Sequence, residues 1–427
     1  MQGYGTINGM NAKIEKQLRK AKRASLSLGL LPYAKRKLIL KNLAKGLRKS
    51  KKAILSANEK DLKKFPKDDP MRDRLLLTPE RIEGMAREVE GLTGLPDPIG
   101  ETFDCRNRNG LSLCRKRVPM GVIGIIYESR PNVTTDVSAI CLIAGNAAVL
   151  KGGHDGKNSY IALHKVIRQA LLSAKADPEA VQFIDPAVKG AAEAIITARG
   201  LVDLAIPRGS ARLINFVRDS AKIPVIETGA GVCHTFVDES AKLSPSAKII
   251  WNAKTQRPSV CNALDTALVH KKNAEKFLPM MAKLLKEKRV EIFADRPSYG
   301  ILKKCYPTEL LKPAKPENFG REYLSQKMSV KIVSGLDEAL SHIAKYSSKH
   351  SEAILTENKK NAERFQRETD AAVVYVNAST RFSDGAVFGL GSEIGNSTDK
   401  LHARGPMGTR EMTTYKWLAE GKYGVRK

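Results

Sequence analysis

The sequence predicts an α/β protein whose first large domain is built on a doubly wound parallel sheet. Two observations carry the prediction. Between Val118 and Ile226 short apolar runs alternate with helical stretches, and a second alternation runs from Cys261 to Val376. Strands that alternate with helices in this way pair in parallel, because a parallel connection needs a crossover long enough to hold a helix. A chain of 427 residues is also too long for one simple core and accommodates two or three domains.

The elements follow in order. Asn11 is placed to cap a basic helix to about Leu28, and Tyr33 to Lys49 continues helical with apolar positions at Leu38, Leu43 and Leu47. Thr78-Pro79-Glu80 starts a further helix with a cap, a proline at the first position and an acid in the first turn. Gly94, Pro96, Pro98 and Gly100 then break the chain. Strands are expected at Val118–Ile126, Ala147–Lys151, Val181–Ile184, Val202–Ile206 and Pro224–Ile226. Helices between them span Val133–Ala144, Tyr160–Ser173, Gly190–Arg199 and Ser210–Ser220. Ser244 and Pro245 read as cap and first residue of the next helix, and Asp265–His270 as a strand. The glycine-rich stretch Gly385–Gly408 reads as loop.

Composition narrows the class. Hydrophobic residues make up 42% of the chain, ordinary for a globular protein. No apolar run reaches the roughly 18 residues of a membrane span. Met1–Gly5 lacks the basic-then-apolar pattern of a signal peptide. The six cysteines are too sparse and irregular for a disulfide scaffold and form no paired C-x-x-C, so a cytoplasmic location is expected and no metal. The net charge of +28 would suit nucleic acid. Its residues are dispersed, however, with Lys13, Lys16, Arg19, Lys20, Lys22 and Arg23 on one helix and Lys283, Lys286, Lys288 and Arg289 on another. That distribution describes solvated faces and a general pull on phosphorylated ligands, and no specific nucleic-acid partner is expected.

Five places could carry chemistry. Cys261 stands on a turn after Pro258, flanked by Ser, Asn and Arg, where a reactive thiol is accessible. Ile206-Pro207-Arg208-Gly209-Ser210 ends a strand and opens a helix whose free N–H groups favour a phosphate, although it is not a G-x-G-x-x-G fingerprint. An ordinary tight turn would look the same. Lys151 ends a strand at the carboxyl edge where doubly wound sheets bind ligands, and could hold a ribose hydroxyl or a 2′-phosphate. In Tyr127–Asn132, Asn132 could donate to a developing oxyanion with Arg130 near an anionic leaving group, or simply cap a helix. Glu227 ends a strand beside a glycine loop, a place for a general base.

These residues resemble those of the aldehyde dehydrogenase superfamily, and within it the gamma-glutamyl phosphate reductases. The carrying segments are Val118–Asn132 (VPMGVIGIIYESRPN), Leu150–Gly153 (LKGG), Ile206–Ser210 (IPRGS), Asn252–Asn262 (NAKTQRPSVCN), Val376–Phe382 (VNASTRF) and Lys400–Gly408 (KLHARGPMG). The resemblance implies an aldehyde dehydrogenase-like fold with a cofactor domain over residues 1–255, a catalytic domain over 256–380 and a C-terminal segment, 381–427, returning to the first. A hairpin at 101–117 would serve oligomerisation and imply a homo-oligomer. It further implies NADPH-dependent reduction of L-glutamyl 5-phosphate to L-glutamate 5-semialdehyde and phosphate, the second step of proline biosynthesis, with a glutamate 5-kinase as a partner for substrate transfer.

By the same resemblance, Cys261 is the nucleophile that forms a thioester, and its N–H and the Asn132 amide make the oxyanion hole. Lys151 holds the adenosine ribose and its 2′-phosphate, Gly209 and Ser210 lie beside the cofactor, and Glu322 holds the nicotinamide ribose. Ser379, Thr380 and Arg381, with Arg130, face the substrate. Glu227 lies 34 residues before Cys261, the interval between base and nucleophile in hydrolytic members, where the glutamate activates water. The rival readings are an aldehyde-oxidising dehydrogenase on the same fold and a basic nucleic-acid-binding protein on a decayed enzyme fold.

Overall fold

The computed structural model describes residues 10–66, 69–423 and 425; the segment Met1–Gly5, read above for a signal peptide, lies outside them. The chain divides into two compact units, one of residues 1–228, 389–395 and 406–427, the other of 229–388 and 396–405. The division falls near residue 228 and not at 255. The strand Cys233–Val237 pairs with Leu264–His270, and the helix Leu243–Thr255 belongs to the core beneath them, so this stretch folds with the second unit.

In the first unit a hairpin of β1 (Thr102–Arg108) and β2 (Leu111–Pro119) is completed by the C-terminal strand Thr413–Gly421, antiparallel to β2. β3 (Val122–Tyr127), β4 (Ala147–Lys151), β5 (Val181–Phe183) and β6 (Leu204–Arg208) form a parallel sheet in the order β5-β4-β3-β6. Strand order reverses at β3, so the carboxyl ends of β3 and β6 flank the crevice where open α/β sheets bind ligands. The run expected to be one strand from Val118 is divided at Met120-Gly121: Val118 and Pro119 finish the hairpin, and β3 begins at Val122.

Helix starts follow the capping chemistry. Asn11 caps Ala12–Gly29, and Thr78 caps Pro79–Gly91 with its hydroxyl on the Arg81 N–H. Tyr33–Lys49 is helical as expected, but Leu38 faces solvent, and Ile39, Leu40, Leu43 and Leu47 form the buried stripe. Pro224–Ile226 makes only a single bridge, Ala205 to Val225, because Pro224 has no N–H to extend the ladder.

The cysteine spacing gave no sign of a disulfide, yet Cys105 and Cys114 are bonded. The register pairs Phe103 with Arg115 and Arg106 with Leu113, and the irregularity between these pairs brings the two thiols together across the hairpin.

The second unit is one seven-stranded parallel sheet. Its strands are β7 (Cys233–Val237), β8 (Leu264–His270), β9 (Glu291–Ala294), β10 (Leu311–Pro313), β11 (Lys327–Val333), β12 (Ser351–Leu355) and β13 (Val373–Val376), in the order β10-β9-β11-β8-β7-β12-β13. Every residue of β7 and β8 is buried, as strands covered on both faces require. The helix before β8 starts at Leu243 with Lys242 at the cap, two residues earlier than Ser244 and Pro245 suggested. Ile250 and Ala253 of that helix, with Phe277, Leu278, Met281 and Leu285, fill the core on one face of the sheet.

Candidate active site

In the first unit the crevice at β3 and β6 is held by an acid. The Glu128 N–H donates to the Arg208 carbonyl at 3.0 Å, and its carboxylate accepts the Ser210 N–H at 2.7 Å and the Ser210 hydroxyl at 3.3 Å. Ser210 is the N-cap of the helix Ala211–Ser220. The free N–H groups there favour an anion, and the Glu128 carboxylate stands at the cap, on Ser210. Lys151 ends β4 half-buried, and burial pushes its ammonium below the usual lysine value with Glu128 opposing. The Lys151 ammonium as donor and the Glu128 carboxylate as acceptor fit the hydroxyls of a ribose.

Asn132 does not cap its helix. Pro131–Ile143 takes Arg130 as N-cap and Pro131 at its first position. Asn132 is exposed, and its amide donates to Asp136 at 2.9 Å, one turn on. Burial raises Asp136 to about 7, with Glu88 adding to the shift and the Asn132 amide opposing it. Asp136 thus fixes the plane of the Asn132 amide with one of its two N–H donors. Glu227 is half-buried and outside any strand, with its carboxylate 3.8 Å from the Arg218 guanidinium.

In the second unit Cys261 stands on a turn three residues before β8, partly exposed. The Gly231 backbone lies directly on it: a Cβ built at Gly231 would stand 1.5 Å from the Cys261 carbonyl oxygen. The Gly231 N–H donates to Glu322 at 2.8 Å, and the buried Cys233 thiol donates to the Cys261 carbonyl at 3.3 Å. The structure therefore brings Cys261 and Glu322, 61 residues apart in sequence, to the same glycine loop.

The segment after β13 closes the other side of the turn. The Thr380 hydroxyl donates to the Asn262 carbonyl at 2.8 Å and is fully buried. That makes it a brace for the turn and not a substrate contact. The Ser379 hydroxyl accepts the Arg381 N–H, likewise buried. Arg381 binds the Asn262 side chain through Nη1 and Gln256 through Nε at 2.9 Å. Burial, and then Arg257, push its guanidinium below the usual arginine value. The Arg381 guanidinium, bonded to the residue after Cys261 and with Arg257 near it, suits an anionic substrate.

Sequence reasoning passed over Glu128, Asp136, Lys254 and Asp265. Lys254 carried a signal: it falls on the helix stripe of Ala247 and Ile250 and is wholly buried. Asp265, a lone acid in the apolar strand β8, carried another.

A model of the aldehyde dehydrogenase family matches residues 5–298. The chain belongs to the aldehyde dehydrogenase family. Within it the chain stands with the gamma-glutamyl phosphate reductases. It is 51% identical to that reductase of Chlorobaculum parvum over 91% of this chain and 92% of the relative. With that of Bacteroides thetaiotaomicron it shares 53% over 86% of this chain and 88% of the relative. The crystal structure of the Thermotoga maritima gamma-glutamyl phosphate reductase superposes with a TM-score of 0.92 at 43% identity, over 97% of this chain and all of that one. The family uses a nicotinamide cofactor.

Two predictions follow from this geometry. Gly231→Ala drives a methyl group into the Cys261 carbonyl, so activity should fall by about a hundredfold or more, as misplacement of a reacting group by about 1 Å does, while circular dichroism stays unchanged. Asp136 is raised in the folded chain above its unfolded value near 3.8, so the fold holds the extra proton and loses stability as pH rises from about 4 to about 7. Asp136→Asn removes that loss and keeps an acceptor for Asn132. Melting curves should show the variant gaining on wild type between pH 4 and pH 7, by no more than about 4 kcal/mol.

Proposed function

We propose that the protein catalyses the NADPH-dependent reduction of L-glutamyl 5-phosphate to L-glutamate 5-semialdehyde and phosphate, the second step of proline biosynthesis. The observation that carries this reading is the match to gamma-glutamyl phosphate reductases across nine tenths of the chain at about half identity.

The Cys261 thiolate attacks the acyl carbon. The tetrahedral oxyanion is received by the Cys261 N–H and the Asn132 amide, whose plane Asp136 holds. Expulsion of phosphate leaves a Cys261 thioester, which splits a hard reduction into two easier steps. The nicotinamide cofactor, when bound, supplies the hydride. Lys151, Gly209 and Ser210 would hold its adenosine end and Glu322 its nicotinamide ribose. The Cys261 thiolate then leaves the tetrahedral adduct as the aldehyde carbonyl forms. Arg381, with Arg130, attracts the anionic groups of the substrate.

Because phosphate is the leaving group, no water needs activation. Glu227, held by Arg218, is then a structural acid and not a hydrolytic base. The outer edges of the hairpin sheet extend the sheet of a second copy, giving a homo-oligomer. A glutamate 5-kinase that hands over the labile acyl phosphate in the cytoplasm completes the reading.

The test runs the reaction in reverse. Glutamate 5-semialdehyde should reduce NADP⁺ only when phosphate is present. Cys261→Ala should abolish that rate, and Asn132→Ala should lower it by about a hundredfold or more, the worth of one oxyanion donor. Equal rates without phosphate would identify an aldehyde-oxidising enzyme instead.

A further inference from the structure

Three segments of the second unit meet at Asp265. One carboxylate oxygen accepts the Tyr323 N–H at 3.0 Å, and the other faces the Cys233 N–H at 3.5 Å. Glu322 precedes Tyr323, and its carboxylate accepts the Gly231 N–H. Gly231 and Cys233 are two residues apart on the loop that leads into β7. The bonds therefore close a ring: Asp265 to Tyr323, Glu322 to Gly231, and Cys233 back to Asp265. The nucleophile turn is fastened to the same loop, through the Cys233 thiol on the Cys261 carbonyl and the close approach of Gly231.

Lys254 sits behind the ring. Its ammonium is wholly buried, 3.7 Å from Asp265, donates to the Leu264 carbonyl at 2.9 Å and lies over the Tyr323 ring at 5.8 Å. A charge taken out of water needs a counter-charge held in good geometry. The carboxylate at Asp265 is thereby tied from both sides, by the lysine behind it and by two backbone N–H groups in front.

We propose that the buried Lys254–Asp265 pair is the positioning element of the active site, setting the distance between the Glu322 carboxylate and the Cys261 turn. Neither side chain touches a reacting atom. They act through backbone: Asp265 fixes Tyr323 and Cys233, these fix Glu322 and Gly231, and Gly231 fixes Cys261. Burial acts against the charge on both partners, pushing the Asp265 carboxyl up to about 6 and the Lys254 ammonium down. A pair held against that penalty, where an apolar pair of the same volume would fill the core, serves geometry and not stability.

The inference rests on the assignment of Cys261 as nucleophile, so Cys261→Ala is measured beside the test variants. Asp265→Asn keeps the shape but turns an N–H toward one of the two backbone donors. In the full-length protein it should lower kcat by about tenfold to a hundredfold, with KM for the aldehyde moving by less than about threefold, as loss of an interaction realised in the transition state does. Hydrogen exchange supplies a readout independent of turnover: the Gly231 and Tyr323 amides should lose protection while those of β8 keep it. Asp265→Glu, which restores the charge, should recover part of both.

Should Asp265→Asn not fold, the double variant Lys254→Met, Asp265→Leu removes both buried charges together. It should fold and show the same loss of kcat and of protection. A folded variant with wild-type kcat and protected Gly231 and Tyr323 amides would overturn the inference. If Cys261→Ala is inactive in that experiment, the nucleophile stands and only the positioning role falls. If Cys261→Ala stays active, the functional assignment falls with it.

Discussion

The ammonium of Lys254 has no access to water, and the second unit is arranged around satisfying it. Its ammonium reaches the Leu264 carbonyl because β8 begins where the Cys261 turn ends, and its counter-ion Asp265 is the second residue of β8. One buried charge thus fixes the register between a helix, a turn and a strand. Leaving either partner alone in the interior costs about 3–5 kcal/mol, enough to make any slip of that register prohibitive. The cysteine inherits its position from this constraint, which a more flexible apolar contact would not impose.

The first unit solves a different problem. Its sheet reverses order at β3, and the ends of β3 and β6 leave backbone N–H groups exposed at the start of the helix Ala211–Ser220. The Glu128 carboxylate accepts the one at Ser210, and Gly209 makes this approach feasible, since a Cβ there would meet Glu128 Oε2 at 2.5 Å. An acid on a helix N-terminus is favourable in itself by a fraction of a kcal/mol up to about 2 kcal/mol. Asn132 is oriented on the same principle of local bonding, by a carboxylate one helical turn away.

Much of this was legible in the sequence where local chemistry decides. The caps at Asn11 and Thr78, the strand Ala147–Lys151 and the helix Tyr33–Lys49 are set by short-range bonding and periodicity, and they stand where those rules place them. The exposed turn at Cys261 follows from Pro258 and the polar residues around it. What the sequence withheld depends on distant partners. Thr380 is expected by resemblance to face the substrate, yet its hydroxyl bonds the Asn262 carbonyl, 118 residues away. The pairing of Gly231 with Glu322, and of Asp265 with Tyr323, joins residues 91 and 58 apart in sequence and leaves no periodic trace. The unit boundary was misplaced for the same reason: β7 is assigned by its partners β8 and β12, not by its own residues.

The hairpin sheet shows what a small structure must do without a core. β1, β2 and Thr413–Gly421 make three strands, and most residues of β1 and of the C-terminal strand are exposed. Three strands are near the lower limit for stability in water and need an apolar face. Here the substitute is a set of cation–aromatic stacks. The Arg115 guanidinium lies 4.8 Å from the Tyr415 ring and 4.7 Å from Trp417, Arg106 covers Trp417, and Arg117 covers Phe103. Such contacts contribute about 0.5–1 kcal/mol each at exposed sites, and the Cys105–Cys114 bond closes the hairpin covalently. A sheet fastened in this way leaves Tyr415 and Trp417 a little under half exposed. Rigid aromatic groups beside unpaired strand edges are what strand addition by a second copy would cover, and a second copy would also remove the edge that otherwise invites aggregation.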